Sequence, residues 1–472
     1  MRAGIARVST PAQQAPLPKI FFFSSFGARC LPCFDYRQTT TASSSSSSKQ
    51  IYIKNTTGRG RKPLLSPEAM LLGPVSYLDC LVFCVFLAPQ LILQAGLVDT
   101  VGCALGCLPF MLYRLPRDFL RDRFGSGPDR LTPFAQRADA FEDFVIRCVR
   151  YAFANIPPRV ARVFFDRKVS LPFLRWRMLR HGYVTWPVHW HEHQEEHCKG
   201  VWVVSDPTRR PDVVLYYLHG GGFAMGSAYF YLDFLLAWHH VLVESGYRNP
   251  AIFGLEYTLV PDACFPTQLD EAIRGYNHVL SVAQDPSTVV LAGDSAGGAL
   301  ALSLLLHLGR DKSRTPEKCG IPVNVAEARP ELPAMAVLIS PWTTLVSRSQ
   351  RNTESDYLDV ETLHRFGKNY CGSDRSVDEP LVSPGMCEDK QWWRRAGPVK
   401  GVFVTYGEEE VFAPEAKRLV KIWRAAGVEV NSLEEEAGVH AWPVASIFIS
   451  TQKERRLKSL RSIVTAMREH IP

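Results

Sequence analysis

A chain of 472 residues with 46% apolar and 21% charged side chains has room for one large α/β domain with additions, or for two ordinary domains. Its composition excludes a wholly disordered or fibrous protein. The formal charge of +7 would suit a nucleic-acid binder, but residues 1–66 hold ten Lys or Arg against the single acid Asp35, so the remainder is slightly acidic and no nucleic-acid groove is expected.

Residues 1–66 include the run TTTASSSSSS, show no sustained apolar period and read as a disordered or targeting leader. Being Arg-bearing, Ser-rich and acid-poor, they suit an organellar presequence or an ordinary unstructured tail. Cys30 and Cys33 form a CxxC with no βαβ pattern around it, and Asn55 opens an NTT sequon that matters only if the leader is lumenal. The twelve cysteines are scattered and do not make a disulfide framework.

Residues 67–125 form an apolar, membrane-associated segment. Between 69 and 113 the only charged side chains are Asp79 and Asp99; the stretch 80–98 has the length of a bilayer span, whereas 100–113 is short for one. Arg59, Arg61 and Lys62 precede the segment and Arg114, Arg117, Arg121 and Arg123 follow it, so charge does not set an orientation. Pro89 and the two Asp argue against a clean span, and a single span, a shallow hairpin and a buried helix pair all stay open. Cys80/Cys84 and Cys103/Cys107 are i, i+4 pairs that suit packing or palmitoylation better than a metal. The expected location is membrane-associated, at the endoplasmic reticulum, or organellar through the leader.

Residues 126–205 are expected to form a helical cap, since Phe141, Phe144, Val145, Cys148 and Ala152 recur at helical steps. The stretch HWHEHQEEHC, with His189, His191, His193, His197 and Cys198, resembles a metal cluster, but a solvated strand face is the better reading and no metal is expected. From 206 to 472 short β-branched runs alternate with helix-period stretches such as 267–284 and 298–309. This predicts a mostly parallel sheet with helices on both faces.

Within that region VLAGDSAGG places Ser295 where a strand runs directly into a helix beginning near Gly297, with glycines at 293 and 297 removing side chains that would collide. Such an elbow presents a hydroxyl above the strand ends, at a helix N-terminus that favours negative charge. Upstream, YYLHGGGF ends another strand with three glycines, and backbone N–H groups of Gly221, Gly222 and Ala296 are assigned as oxyanion donors. Serine needs a base, and His440 follows the late β-type run EVNSLEEE. The orienting carboxylate is expected on the loop after the preceding strand, where Glu408, Glu409 and Glu410 stand.

HGGGF and GDSAGG, with EYTLVPDACFP between them and ISPW after, resemble the hormone-sensitive-lipase-type branch of the α/β-hydrolases over residues 200–445. The apolar segment adds a similarity to fungal steryl acetyl hydrolase-like proteins. The resemblance implies an α/β-hydrolase sheet, a helical cap, no cofactor and action on carboxylic esters. The commoner family acid is Asp in a DPL-like context, whereas this chain offers only glutamates. Glu410, followed by the apolar Val411 and Phe412, matches the family's acid-x-Leu pattern best, with Glu409 as the alternative. The expected function is a serine carboxylester hydrolase acting through an acyl-enzyme on a hydrophobic small-molecule ester, such as an acetylated sterol or other natural product. The alternatives are a biosynthetic acyltransferase, condensation or cyclisation enzyme, and a non-catalytic binder like the similar plant gibberellin receptors. Retention of Ser295 and His440 argues against the last. The sequence leaves the oligomeric state open.

Overall fold

The computed structural model describes residues 71–125, 131–185, 188–196, 198–311 and 331–472. The leader with Cys30, Cys33 and Asn55, and also His197, lie outside the described residues. Ser76 opens the first helix, α1 (Tyr77–Gln90), in a reciprocal capping box with Asp79, and a π-helical turn carries it to Ala95. Gly96, at φ 92°, then turns the chain. The second helix starts as α2 (Leu97–Pro109) and runs on through α3 (Leu115–Leu120) to Gly125. The apolar segment thus forms two helices that are both long and apolar enough to cross a bilayer, where the sequence pattern marked 100–113 as short. The helix outruns the apolar stretch because its charges find partners: Arg117 with Asp118, and Asp122 with Arg147.

The cap consists of α4 (Pro133–Arg137), α5 (Ala140–Asn155), α6 (Pro158–Phe164) and α7 (Arg167–Arg180). A second capping box, Asp139 with Glu142, starts α5, the helix expected from the Phe141 periodicity. The cap ends earlier than 205. Residues His189–Glu195 (β1) and Cys198–Val204 (β2) are antiparallel strands of the main sheet. Strand β1 is an edge, with a neighbour on one side only, so its polar residues can stay in water. His189 and His191 are exposed there, but His193 is half-buried and stacks on His278 at 3.8 Å.

The remaining strands are β3 (Val213–Leu218), β4 (Pro250–Leu255), β5 (Val289–Asp294), β6 (Met335–Ile339), β7 (Val402–Gly407) and β8 (Val430–Glu435). They make one eight-stranded sheet in the order β1-β2-β4-β3-β5-β6-β7-β8, parallel from β4 onward. Side chains alternate between the two faces, as strand geometry requires. From β3, Val214, Tyr216 and Leu218 join a core with α9 (Thr267–Ala283), α10 (Ser295–Leu308) and, further along the sheet, α13 (Ala413–Ala425). Val213, Leu215 and Tyr217 join the opposite core with α8 (Leu232–Glu244) and α15 (Lys453–His470). Helices α11 (Val360–Cys371), α12 (Lys390–Ala396) and α14 (Trp442–Ile449) complete the order. Burial on both faces explains why β3 to β7 read as apolar runs, whereas β8 at the far edge is polar and largely exposed.

One buried ion pair fastens cap to sheet layer. Arg177 of α7 is 1% exposed, pairs with Asp233 of α8 and donates to the Gly73 carbonyl. Removing one partner of such a pair strands a charge in the interior. Asp233→Ala should therefore destabilise the protein by about 3 kcal/mol, read as a lower urea midpoint. Glu244→Ala, which removes the surface partner of Arg461, should cost less than about 1 kcal/mol. Equal shifts in the two variants would show that the Arg177 contact does not fasten the cap.

Candidate active site

Strand β5 ends at Asp294 and α10 begins at Ser295, with nothing between them. Ser295 is held at φ 52°, a conformation that side chains rarely adopt, and its carbonyl accepts from Trp342 N–H at 3.0 Å. The turn closes only because its flanks are bare: a Cβ on Gly297 would strike the Leu218 carbonyl, and one on Gly293 would lie 2.5 Å from the Gly297 carbonyl. The helix starts two residues before the expected Gly297, which puts the serine itself in the first turn.

Asp294 works behind the elbow. Its carboxylate accepts from Gly220 N–H at 2.8 Å and from the hydroxyls of Tyr217 at 2.5 Å and Tyr231 at 2.8 Å. Burial pushes its pKa up, and the two hydroxyls pull it partly back. The glycine loop after β3 is thereby tied to the elbow. Gly221, at φ 111°, closes that loop with its carbonyl, which accepts from Ala224 and Met225. Gly222 lies against the Phe366 ring, and Phe153 of α5 packs edge-on to the same ring at 5.9 Å. The cap therefore reaches the wall of the glycine loop.

Glu410 and His440 follow β7 and β8. Glu410 Oε2 lies 3.6 Å from His440 Nδ1, an ion-pair contact slightly longer than a hydrogen bond, and both side chains are buried. Hydrogen bonds of this kind are often long before substrate arrives. The same oxygen accepts from Ser340 Oγ at 2.5 Å and from Gly407 N–H at 3.1 Å. Of its two neighbours, Glu408 is exposed and turned to Ala437 N–H, and Glu409 is half-exposed. Burial raises the Glu410 pKa, opposed by His440 and Ser340. For His440 burial acts downward, but Glu410, with Asp356 and Asp294 further out, outweighs it and raises the pKa above the ordinary imidazole value.

Three positioning residues went unrecognised in the sequence. Asp294 lay in plain view inside GDSAGG, but its role depends on two tyrosines distant in the chain. Ser340, the serine of ISPW, has φ 45°, bonds Glu410 and accepts from Ala441 N–H at 3.0 Å. Asp356 gave no signal, since it sits in an irregular stretch. Its carboxylate accepts from His440 N–H at 3.0 Å and Val411 N–H at 2.9 Å, joining the two loops that carry Glu410 and His440.

Residues 215–444 match the family described as alpha/beta hydrolase fold. An acetyl-hydrolase of Streptomyces hygroscopicus is 31% identical over 255 residues, 52% of this chain and 73% of its own. The chain belongs to the alpha/beta hydrolase family. Among further relatives of this hydrolase, a putative steryl acetyl hydrolase of Schizosaccharomyces pombe is 30% identical over 225 residues, 46% of this chain and 55% of its own. Steryl acetyl hydrolase 1 of Saccharomyces cerevisiae is 24% identical, over 56% of this chain and 61% of its own. The crystal structure of an esterase from the bacterial hormone-sensitive lipase family superposes with a TM-score of 0.53 at 22% identity, covering 71% of this hydrolase and 99% of the esterase. The resemblance drawn from HGGGF and GDSAGG holds, and so does the fold it implied.

The electrostatics of the hydrolase can be tested apart from turnover. Glu410→Gln removes the main group that raises the His440 pKa, so the imidazole pKa, followed by NMR titration, should fall. Glu409→Gln should leave it where it is. The reverse pattern would move the acid assignment to Glu409.

Proposed function

We propose that the protein is a serine carboxylester hydrolase in which Ser295 is the nucleophile, His440 the general base and Glu410 the orienting acid. The observation that carries this reading is the buried Glu410–His440 contact, set at the same end of the parallel sheet as the strained Ser295 elbow. In the proposed cycle neutral His440 takes the Ser295 proton as Oγ attacks the ester carbonyl carbon. The carbonyl oxygen becomes an oxyanion that the N–H groups of Gly221, Gly222 and Ala296 receive. Protonated His440, its charge stabilised by Glu410, then gives the proton to the departing alcohol as the C–O bond breaks. Water, activated by the same imidazole, attacks the acyl-enzyme, and the carboxylic acid leaves with Ser295 restored.

The substrate proposed is a hydrophobic acetate, an acetylated sterol or a similar natural product. Support comes from the names of the relatives and from the two apolar helices, which suit a membrane-borne ester. Water as the acyl acceptor separates hydrolysis from acyl transfer, condensation or ring closure, and mass spectrometry of products from a panel of esters of graded chain length distinguishes them.

Ser295→Ala should lower kcat by about 10⁶, and residual activity above a tenth would remove the serine from the nucleophile role. Because the base must be neutral and its pKa is raised, the acid limb of kcat/KM should lie above pH 6.5, the ordinary imidazole value. In Glu410→Gln turnover should drop by up to about 10⁴, and the acid limb of what remains should move to lower pH. An unmoved limb would show that Glu410 does not act on His440.

A further inference from the structure

The two long apolar helices each rest one side against the cap and leave the other bare. On the second helix Val98, Val101, Leu105, Leu108 and Leu112 recur at steps of three and four and are all exposed, Val98 at 84% and Leu112 at 74%. On α1 the stripe is Leu78, Leu81 and Val85. Exposed Tyr77 and Tyr113 stand near its ends, and Arg114, Arg117 and Arg121 follow.

The opposite side of the second helix is fastened along its length. Asp99 pairs with Arg159, the Gly106 carbonyl accepts from the Tyr151 hydroxyl, Phe110 stacks on Tyr151 at 4.0 Å, Phe119 meets Phe144, and Asp122 pairs with Arg147. These anchors extend over about 35 Å of helix, more than the roughly 30 Å thickness of a bilayer core. On α1, buried Asp79 accepts from Trp176 Nε1 at 3.2 Å and pairs with Arg180 at 3.0 Å. If the second helix crossed a membrane with these contacts intact, α5 would enter with it, carrying Asp143, Arg147 and Arg150. Charged side chains in hydrocarbon are costly, and Arg150 is further tied to the Asp356 carbonyl at 2.7 Å.

We propose that the two helices do not span a bilayer but lie flat in one leaflet as a docking surface for a lipid membrane. The exposed stripes sink among the acyl chains, tyrosines sit at headgroup depth, and the arginines meet anionic lipids, as in an interfacial helix. This inference is independent of the catalytic reading.

An environment-sensitive fluorescent amino acid placed singly at Val98, Leu105 or Leu112 of the full chain tests it, with vesicles of phosphatidylcholine and phosphatidylserine whose acyl chains are brominated at different depths. Quenching should report one shallow depth for all three positions. Depths stepping by about 10 Å from one position to the next would show a span, and absence of quenching would show that lipid is not the occupant; either overturns the proposal. The double variant Leu105→Glu/Leu112→Glu, at sites already in water, should weaken vesicle binding about tenfold or more and leave hydrolysis of a water-soluble ester unchanged. Unchanged vesicle binding would also overturn it.

Discussion

A carboxylate buried as deeply as Glu410 is costly unless its charge is answered, and the arrangement of the site follows from how it is answered. One oxygen takes a hydroxyl from Ser340, an N–H from Gly407 and the approach of the His440 ring. Each partner comes from the end of a different strand: Ser340 after β6, Gly407 at the end of β7, His440 after β8. Parallel neighbours bring those ends together on one edge of the sheet, so the fold supplies the positions and the acid supplies the reason to hold them. Asp356 then fixes backbone where Glu410 fixes side chains, by accepting N–H groups from both loops.

Most of this fold was legible in the sequence, because strands buried on both faces read as apolar runs and the helices between them keep a clear period. Ser295 and the glycine loop stand out in the sequence for a different reason, since tight turns need glycines and their spacing survives in a one-dimensional string, while His440 stands out only as a late histidine after a β-type run. The reading stumbled where side chains answer to neighbours remote in sequence. His189–Glu195 reads as a solvated strand face and is a strand, but its pairing with β2 in the main sheet takes it out of the cap, and the cap boundary moves accordingly. Ser340 and Asp356 sit in stretches without period or glycine pattern, and their partners lie 70 and 84 residues away. The choice among three consecutive glutamates rested on the apolar pair behind Glu410. Burial of Val411 and Phe412 gives that pattern its physical content, since an anchored loop turns one carboxylate inward and leaves its neighbours to solvent.

The cap is more than a cover. Its helix α5 touches the glycine-loop wall through Phe153 and Phe366, and the Asp356 backbone through Arg150. Held to the apolar helices by Asp143, Arg147 and Tyr151, α5 touches both those helices and the loops around His440, while Arg177 of α7 fixes the cap to the sheet layer.

The dispersed origin of the site bears on how activity returns after unfolding. Gly221, Ser295, Ser340, Asp356, Glu410 and His440 come from stretches spread over more than two hundred residues, and the sheet pairs β3 with β5 and β6 with β7 only after long intervening segments have closed. Long-range parallel pairing is slow, because loop-closure entropy is lost before the contacts that compensate it are made. Helical signal should consequently recover early in refolding while the hydroxyl, acid and imidazole are still on separate, unjoined pieces, and catalysis reports the last of these closures rather than the average of the fold.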